Sequence, residues 1–309
     1  MNTSTPEGDD AIQAMRDGWL PIREVARQTG VNPVTLRAWE RRYGLIVPHR
    51  TAKGHRLYGA EHVQRIQQIL TWLGRGVAVG QVMALLDNGQ AATPQAHDGG
   101  DWLPLRASLL QAIGELAERR VDDTFNRAMA LYPPVTLCEH LLLPLLEELE
   151  QRWQGQFGAQ MERVFFLSWL RSKLGARIYY NNRQLNGAPL LLVNQSDLPL
   201  EPHLWLCAWL ASSADCPVEV FDWPLPPGEL ALAAERLGAR AVLLYSARPL
   251  NLAQLPRLLA GLDGETLIVG PTVCIHQHDW PVHNLETGRL HLLDTPLAAQ
   301  QCLQRLGVL

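Results

Sequence analysis

The sequence predicts a multidomain chain of α and α/β type, and three observations carry that prediction. Residues 20–88 combine short capped helices with a small basic hairpin, the pattern of a winged helix-turn-helix. Residues 102–186 read as helices with short connections and no strand signal, a four-helix bundle. Past Gly187, short apolar runs alternate with helices, as in a doubly wound parallel sheet of flavodoxin type. The 309 residues, 47% hydrophobic and 19% charged, suffice for two or three packed cores and exclude a wholly disordered chain. No apolar run approaches the eighteen residues of a membrane span, and the start MNTSTPEGDD is acidic and polar. Neither a membrane segment nor a secretory leader is expected, and the cytoplasm is the expected location. Cys138, Cys207, Cys216, Cys274 and Cys302 are odd in number and never form a CxxC, so reduced, mostly buried thiols are expected.

Charge is distributed unevenly. From Leu20 to Gly76 there are ten Arg or Lys against three acids (Glu24, Glu40, Glu61), an excess of seven. With a net charge of −4 overall, the remainder carries −11. A short basic block on an acidic body is the footprint of a module that docks on a polyanion. Only Lys53 and Lys173 are lysines, and arginine forks suit phosphates and guanine edges.

Residues 1–19 form an expected disordered tail. Pro21 then opens a helix whose apolar positions Ile22, Val25 and Ala26 share a face, and Gly30 ends it. Asn32-Pro33 supplies an N-cap and a first-turn proline for a second helix reaching about Tyr43. Leu36, Trp39 and Tyr43 should face the protein, while Val34, Arg37 and Arg41 repeat the spacing on the opposite side, with Thr35 and Arg42 beside them. Such a helix fits a major groove with base edges near its N-terminal half. IVPHRTAKGHRLY then reads as two short strands around Thr51–Gly54, a wing carrying Arg50, Lys53, His55 and Arg56 for phosphate and minor-groove contacts. Helices follow at about 60–73 and 79–87.

The stretch VNPVTLRAWERRYGLIVPHRTAKGHRLY resembles the winged helix-turn-helix of MerR-type transcription regulators. LRAWERRYGL followed by GHRLY is similar more narrowly to a MlrA/BluR-like branch related to the CarH/LitR cobalamin-domain repressors. The resemblance implies a homodimer on a pseudo-palindromic operator in double-stranded promoter DNA, action on RNA polymerase, and a C-terminal half that senses something. It implies DNA contacts from Thr35, Arg37, Arg41, Arg42 and Tyr43 on the helix and from Arg50, Lys53, His55 and Arg56 on the wing.

Residues 89–101 are polar with Gly, Pro and Ala, an expected linker. No sustained heptads mark a dimerisation coiled coil, so dimer contacts must come from elsewhere or form on DNA. Bundle helices are predicted at 102–119, 121–131, 135–154 and 159–184, the third with the stripe Leu142, Leu145, Leu146, Leu149 and Trp153. In residues 187–309, strands fit at 190–194, 218–221, 241–245 and 266–269, with a fifth around 290–293. Helices fit near 202–212, 227–237, 252–261 and 296–306.

A bundle before such a sheet resembles the cobalamin module of CarH-type regulators, whose E-x-H-x-x-G element supplies a histidine for cobalt and a glycine beside the nucleotide tail. The matching residues here are Glu201, His203 and Leu206, so the histidine is present and the glycine is not. Phe221-Asp222 replaces the family's Leu-Gly, and Gly270-Pro271 replaces its glycine pair. Trp153 matches the family's bundle tryptophan, and Glu162-Arg163 stands for its Glu-His. The expectation is therefore a degenerate module without cofactor, Trp205 and Trp209 filling the vacated cleft, with the sheet domain binding a protein partner such as an antagonist, a different ligand, or nothing. The alternative is a cobalamin-dependent sensor with His203 as cobalt ligand and Trp153 and Glu162 near the cofactor. No GxSxG, P-loop, HExxH or GxGxxG is present, so no enzyme is expected. His276, His278, His283 and His291, with Cys274, fit a metal site loosely and exposed loop histidines better.

Overall fold

The computed structural model describes residues 18–51, 54–87, 102–196, 198–276, 280 and 289–309. Most of the expected N-terminal tail, Lys53, the expected linker, His278 and His283 lie outside those residues. The chain forms two compact units, Met1–Gln151 and Arg152–Leu309. This division runs through segment 102–186: its first three expected helices group with the basic block and its fourth with the sheet.

The first unit begins with β1 (Leu20–Pro21) and α1 (Ile22–Thr29). Gly30, at φ 68°, closes α1 by donating its N–H to the Ala26 carbonyl, a left-handed cap that glycine adopts without steric cost. Asn32 Oδ1 accepts the Thr35 N–H at 2.9 Å and Pro33 takes the first helical position, opening α2 (Pro33–Ala38). The helix widens into a π turn (Trp39–Tyr43) that Gly44 ends at φ 62°. β2 (His49–Arg50) and β3 (Arg56–Tyr58) form the expected antiparallel hairpin, and β1 adds to β3, giving the order β1-β3-β2. Helices α3 (Ala60–Gly74) and α4 (Val79–Asp87) complete the block.

Helix α5 (Trp102–Gly114) and α6 (Glu118–Leu131) follow. Then α7 (Pro134–Leu137) runs through a second π turn (Cys138–Leu142) into α8 (Leu143–Arg152). Aromatic side chains fasten these helices to the basic block. Trp102 Nε1 donates to the Gly76 carbonyl at 3.0 Å, and the Trp102 ring lies 4.3 Å from that of Tyr132. Tyr132 in turn accepts the Val79 N–H at 3.3 Å. The turn between α3 and α4 is thereby held by apolar burial and by hydrogen bonds that leave its backbone satisfied. The stripe Leu142, Leu145, Leu146 and Leu149 is core, as its spacing predicted.

In the second unit, α9 (Ala159–Asn182) precedes the sheet. Five parallel strands, β4 (Leu190–Asn194), β5 (Val218–Phe221), β6 (Ala241–Tyr245), β7 (Glu265–Val269) and β8 (Leu290–Leu293), stand in the order β5-β4-β6-β7-β8. This is the doubly wound order the sequence predicted. Every residue of β4 and β6 is buried, as expected for central strands covered on both faces. On one face Leu191, Val193, Val242, Leu244 and Ile268 form a core with α11 (Pro227–Leu237) and α12 (Leu255–Leu259). On the other lie α10 (Pro202–Ser213), packed on α9, and α14 (Pro296–Arg305). A short α13 (Thr272–Ile275) follows β7. Among the described residues, no helix is long and apolar enough to cross a membrane.

Candidate DNA-binding surface and the cleft of the sheet unit

Helix α2 and its π turn separate two faces. Leu36 and Trp39 are fully buried, and Trp39 Nε1 donates to the Leu131 carbonyl of α6 at 2.8 Å. On the opposite side Val34 is 58% exposed, and Arg37, Arg41 and Arg42 are exposed. This leaves guanidinium groups in solvent along one stripe, the arrangement that base and phosphate contacts need. Two expected contacts sit differently. Thr35 is 0% exposed, its hydroxyl without a partner, because it follows the N-cap on the side of the helix that turns into the protein. Its side chain is enclosed by the protein's own residues. Tyr43 is half-buried and lies against Gly80 of α4, 3.7 Å from where a side chain there would begin.

The wing is tied to α2 by Glu40, which sequence reading counted only as an acid. Glu40 Oε1 accepts from Arg50 Nη2 at 2.6 Å, and Oε2 accepts from Arg56 Nε at 2.5 Å. Arg56 is mostly buried, its side chain 15% exposed, while that of Arg50 is 49% exposed and His55 is exposed. Arg56 therefore joins the wing to the π turn from a mostly buried position, while Arg50 and His55 keep exposed surface. Burial raises the Glu40 pKa, but the hydrogen bonds from Arg56 and Arg50 outweigh it and hold the carboxyl below its usual 4.5. Its folded pKa being depressed, its stabilisation is fully present above the unfolded value and is lost as pH falls through the folded one. Melting followed from about pH 7 to about pH 3 should show Glu40→Gln least stable relative to wild type near neutrality, with the gap closing in acid. A gap independent of pH would contradict this role.

In the second unit, the strand carboxyl ends gather Asn194, Ser196, Glu201, His203 and Tyr245. Asn194 Nδ2 donates to the carbonyls of Leu198 and Asp222 at 2.8 and 3.0 Å, closing the loop after β4. Glu201 is 5% exposed, with Ser196 Oγ and His203 Nδ1 each 3.4 Å from its oxygens. The His203 ring stacks parallel to Tyr245 at 5.9 Å. Leu206 is fully buried. Trp205 Nε1 donates to Asp222 Oδ1 at 2.8 Å, Arg171 Nε of α9 donates to Oδ2 at 2.6 Å, and the Arg171 guanidinium lies 5.0 Å over the Trp205 ring. These three side chains form a closed polar and cation–π cluster between α9, α10 and the end of β5. Trp153 Nε1 donates to Glu162 at 3.3 Å, Arg152 pairs with the same carboxylate at 2.8 Å, and Arg163 lies 5.7 Å from the Trp153 ring. Trp153 and Glu162 are thus brought together, and neither hydrogen-bonds His203 among the described residues. His291 pairs with Glu265 at 2.7 Å and His276 meets Trp280, and no group of three metal-ligating residues forms among the described residues.

Residues 20–89 match the MerR HTH family of regulatory proteins. The HTH-type transcriptional regulator MlrA of Salmonella typhimurium is 30% identical over 242 residues, covering 77% of this chain and 93% of that protein. The chain belongs to the MerR family of transcriptional regulators, in the branch that holds MlrA and CarH. MlrA of Escherichia coli K12 is 32% identical over 199 residues, 64% of this chain and 78% of that one. The HTH-type transcriptional repressor CarH of Myxococcus xanthus is 31% identical over 145 residues, 43% and 48% of the two chains. This MerR-family regulator also matches a B12 binding domain at residues 105–178, within the helices that precede the sheet. A cobalamin-binding protein of Desulfitobacterium hafniense superposes with a TM-score of 0.33 at 13% identity, covering 65% of this chain and 97% of that one, too low to bear on the ligand. The relatives are named as regulators of transcription, not enzymes, and the DNA-binding regulator expected from the sequence stands.

The tie from Glu40 to the wing, and the pairing of Asp222 with Arg171, are what sequence reading of this MerR regulator missed. Glu40 had a signal: it is an acid between arginines on a helix otherwise basic along its outer side. Asp222 and Arg171 had none, since 51 positions separate them.

Proposed function

We propose that the protein reads a promoter operator as a cytoplasmic homodimer, with Arg37 and Arg41 at base edges and Arg42, Arg50, Lys53 and His55 on phosphates. The observation that supports this best is the single helix with a fully buried aromatic side and an exposed arginine stripe, set beside a wing that Glu40 holds in place. A dimer would place two such helices in successive major-groove segments about 34 Å apart, one helical turn of duplex. Light scattering of the purified complex tests it. Two chains per duplex are expected, and one chain per duplex at saturation contradicts the dimer.

We propose further that the sheet unit holds no cobalamin. Leu206 fills the interior position where the resembling module keeps glycine, and Trp205, Asp222 and Arg171 already satisfy one another. A buried leucine where a cofactor tail must pass means a steric clash in a close-packed interior. The residues present do not fit the group, despite the pairing of His203 with Glu201. Incubation with adenosylcobalamin followed by gel filtration should leave the protein colourless. A corrinoid co-eluting at one per chain would contradict this and revive the reading with His203 as cobalt ligand.

A further inference from the structure

Beyond the block that matches the MerR family, helix α6 presents a basic face beside the DNA-reading helix. Arg42 of the π turn, Ser108 of α5, and Arg120, Asp123, Asn126 and Arg127 of α6 line an open cleft of about 580 Å³. Three guanidinium groups line it with the Asp123 carboxylate, and Glu115 pairs with one of them, Arg120. Val34 and Arg37 of α2 and Arg41 of its π turn, all exposed, form the outer stripe. Glu40, with the wing arginines it holds, falls to one side of that stripe, and Arg42 falls to the other. The second side is where α6 lies, anchored by the bond from Trp39 to Leu131. The stripe is therefore flanked twice, by the wing and by α6.

The charge pattern of α6 fits that position. Arg120, Asp123 and Arg127 recur at helical spacing on the cleft side, while Glu118 and Asp122 turn to the other side. Arg120 pairs with Glu115, and Arg127 donates to Thr124 at 3.3 Å. The Arg120–Glu115 pair is half-exposed on both partners, the weak kind of ion pair that gives way to a phosphate.

We infer that α6 is a second phosphate-contacting flank, with Arg120 and Arg127 gripping the DNA backbone alongside the groove that α2 enters. The inference rests on the DNA-reading assignment of α2. It extends the protein's footprint past the winged block and makes helices of the B12-type region part of the DNA-binding surface. Backbone contacts of this kind add affinity on any sequence and discriminate little.

The test uses the full chain, a duplex selected for binding and an unrelated duplex. In Arg120→Ala/Arg127→Ala, the log–log salt slope should shrink by roughly 1 to 2, at ~0.9 per lost phosphate contact. Affinity should fall by the same factor on both duplexes. Arg120→Lys/Arg127→Lys should recover most of the slope, which a merely folding-related loss would not. An unchanged slope in the alanine variant, with wild type still binding, overturns the flank and leaves the α2 assignment intact. Tighter binding by the variant overturns it too, since α6 would then obstruct the duplex. So does an unchanged slope with pyrophosphate stabilising only wild type against heat, which would assign the cleft to a small anion. Absence of salt-dependent binding by wild type removes both readings.

Discussion

Replacing Trp39 by alanine is expected to lower the free energy of unfolding of the N-terminal unit by about 3–5 kcal/mol. The side chain is fully buried and donates to the Leu131 carbonyl, so truncation removes apolar burial and opens a cavity. It also leaves a backbone acceptor of α6 without its partner, which adds a cost of about 1–3 kcal/mol if water does not reach it. Trp39→Phe separates the contributions: it keeps most of the ring volume and loses the N–H. Urea titration followed by circular dichroism should place phenylalanine between wild type and alanine. A loss below about 1 kcal/mol for alanine would mean that Trp39 does not join the reading helix to α6.

Loss of Arg37 and Arg41 together is the second large effect. Each bidentate contact to a base is worth about 1–3 kcal/mol of discrimination, roughly five- to 150-fold. The double alanine variant should therefore bind its selected duplex at least about thirtyfold more weakly at fixed salt, while its affinity for unrelated DNA falls far less. Arg50→Ala should behave differently, weakening both duplexes alike, because the wing is assigned to phosphates. Fluorescence anisotropy at one stated ionic strength gives all four numbers. Equal losses on selected and unrelated DNA for the double variant would reassign Arg37 and Arg41 to the backbone.

Local signals made much of the fold legible. Pro21, Gly30, Asn32-Pro33 and Gly44 set the first two helices by cap chemistry that acts within a few residues. The apolar runs of β4, β6 and β7 marked strands, and their alternation with helices marked a doubly wound parallel sheet. Non-local features were not legible. β1 is two residues long, too short for a period, and exists because β3 offers it an edge. Periodicity placed Thr35 near the basic face, yet it is buried, since a residue at the flank of a stripe is covered or open according to its neighbours in space. Helices α5–α8 have bundle spacing, but Trp102 and Tyr132 fasten them to the turn between α3 and α4. No pattern within those helices names that partner. Trp205 and Trp209 were expected to fill the cleft; both are buried, and the Asp222–Arg171 pair that secures Trp205 was beyond sequence reach.

Selection of binding sites from random duplex by the full chain, run in parallel with Arg37→Ala/Arg41→Ala, tests the central claim most directly. Wild type should enrich a pseudo-palindrome with half-sites about one helical turn apart, and the variant should enrich none while retaining salt-dependent binding. Enrichment of the same sequence by both proteins would contradict the account and move base reading away from the exposed stripe of α2.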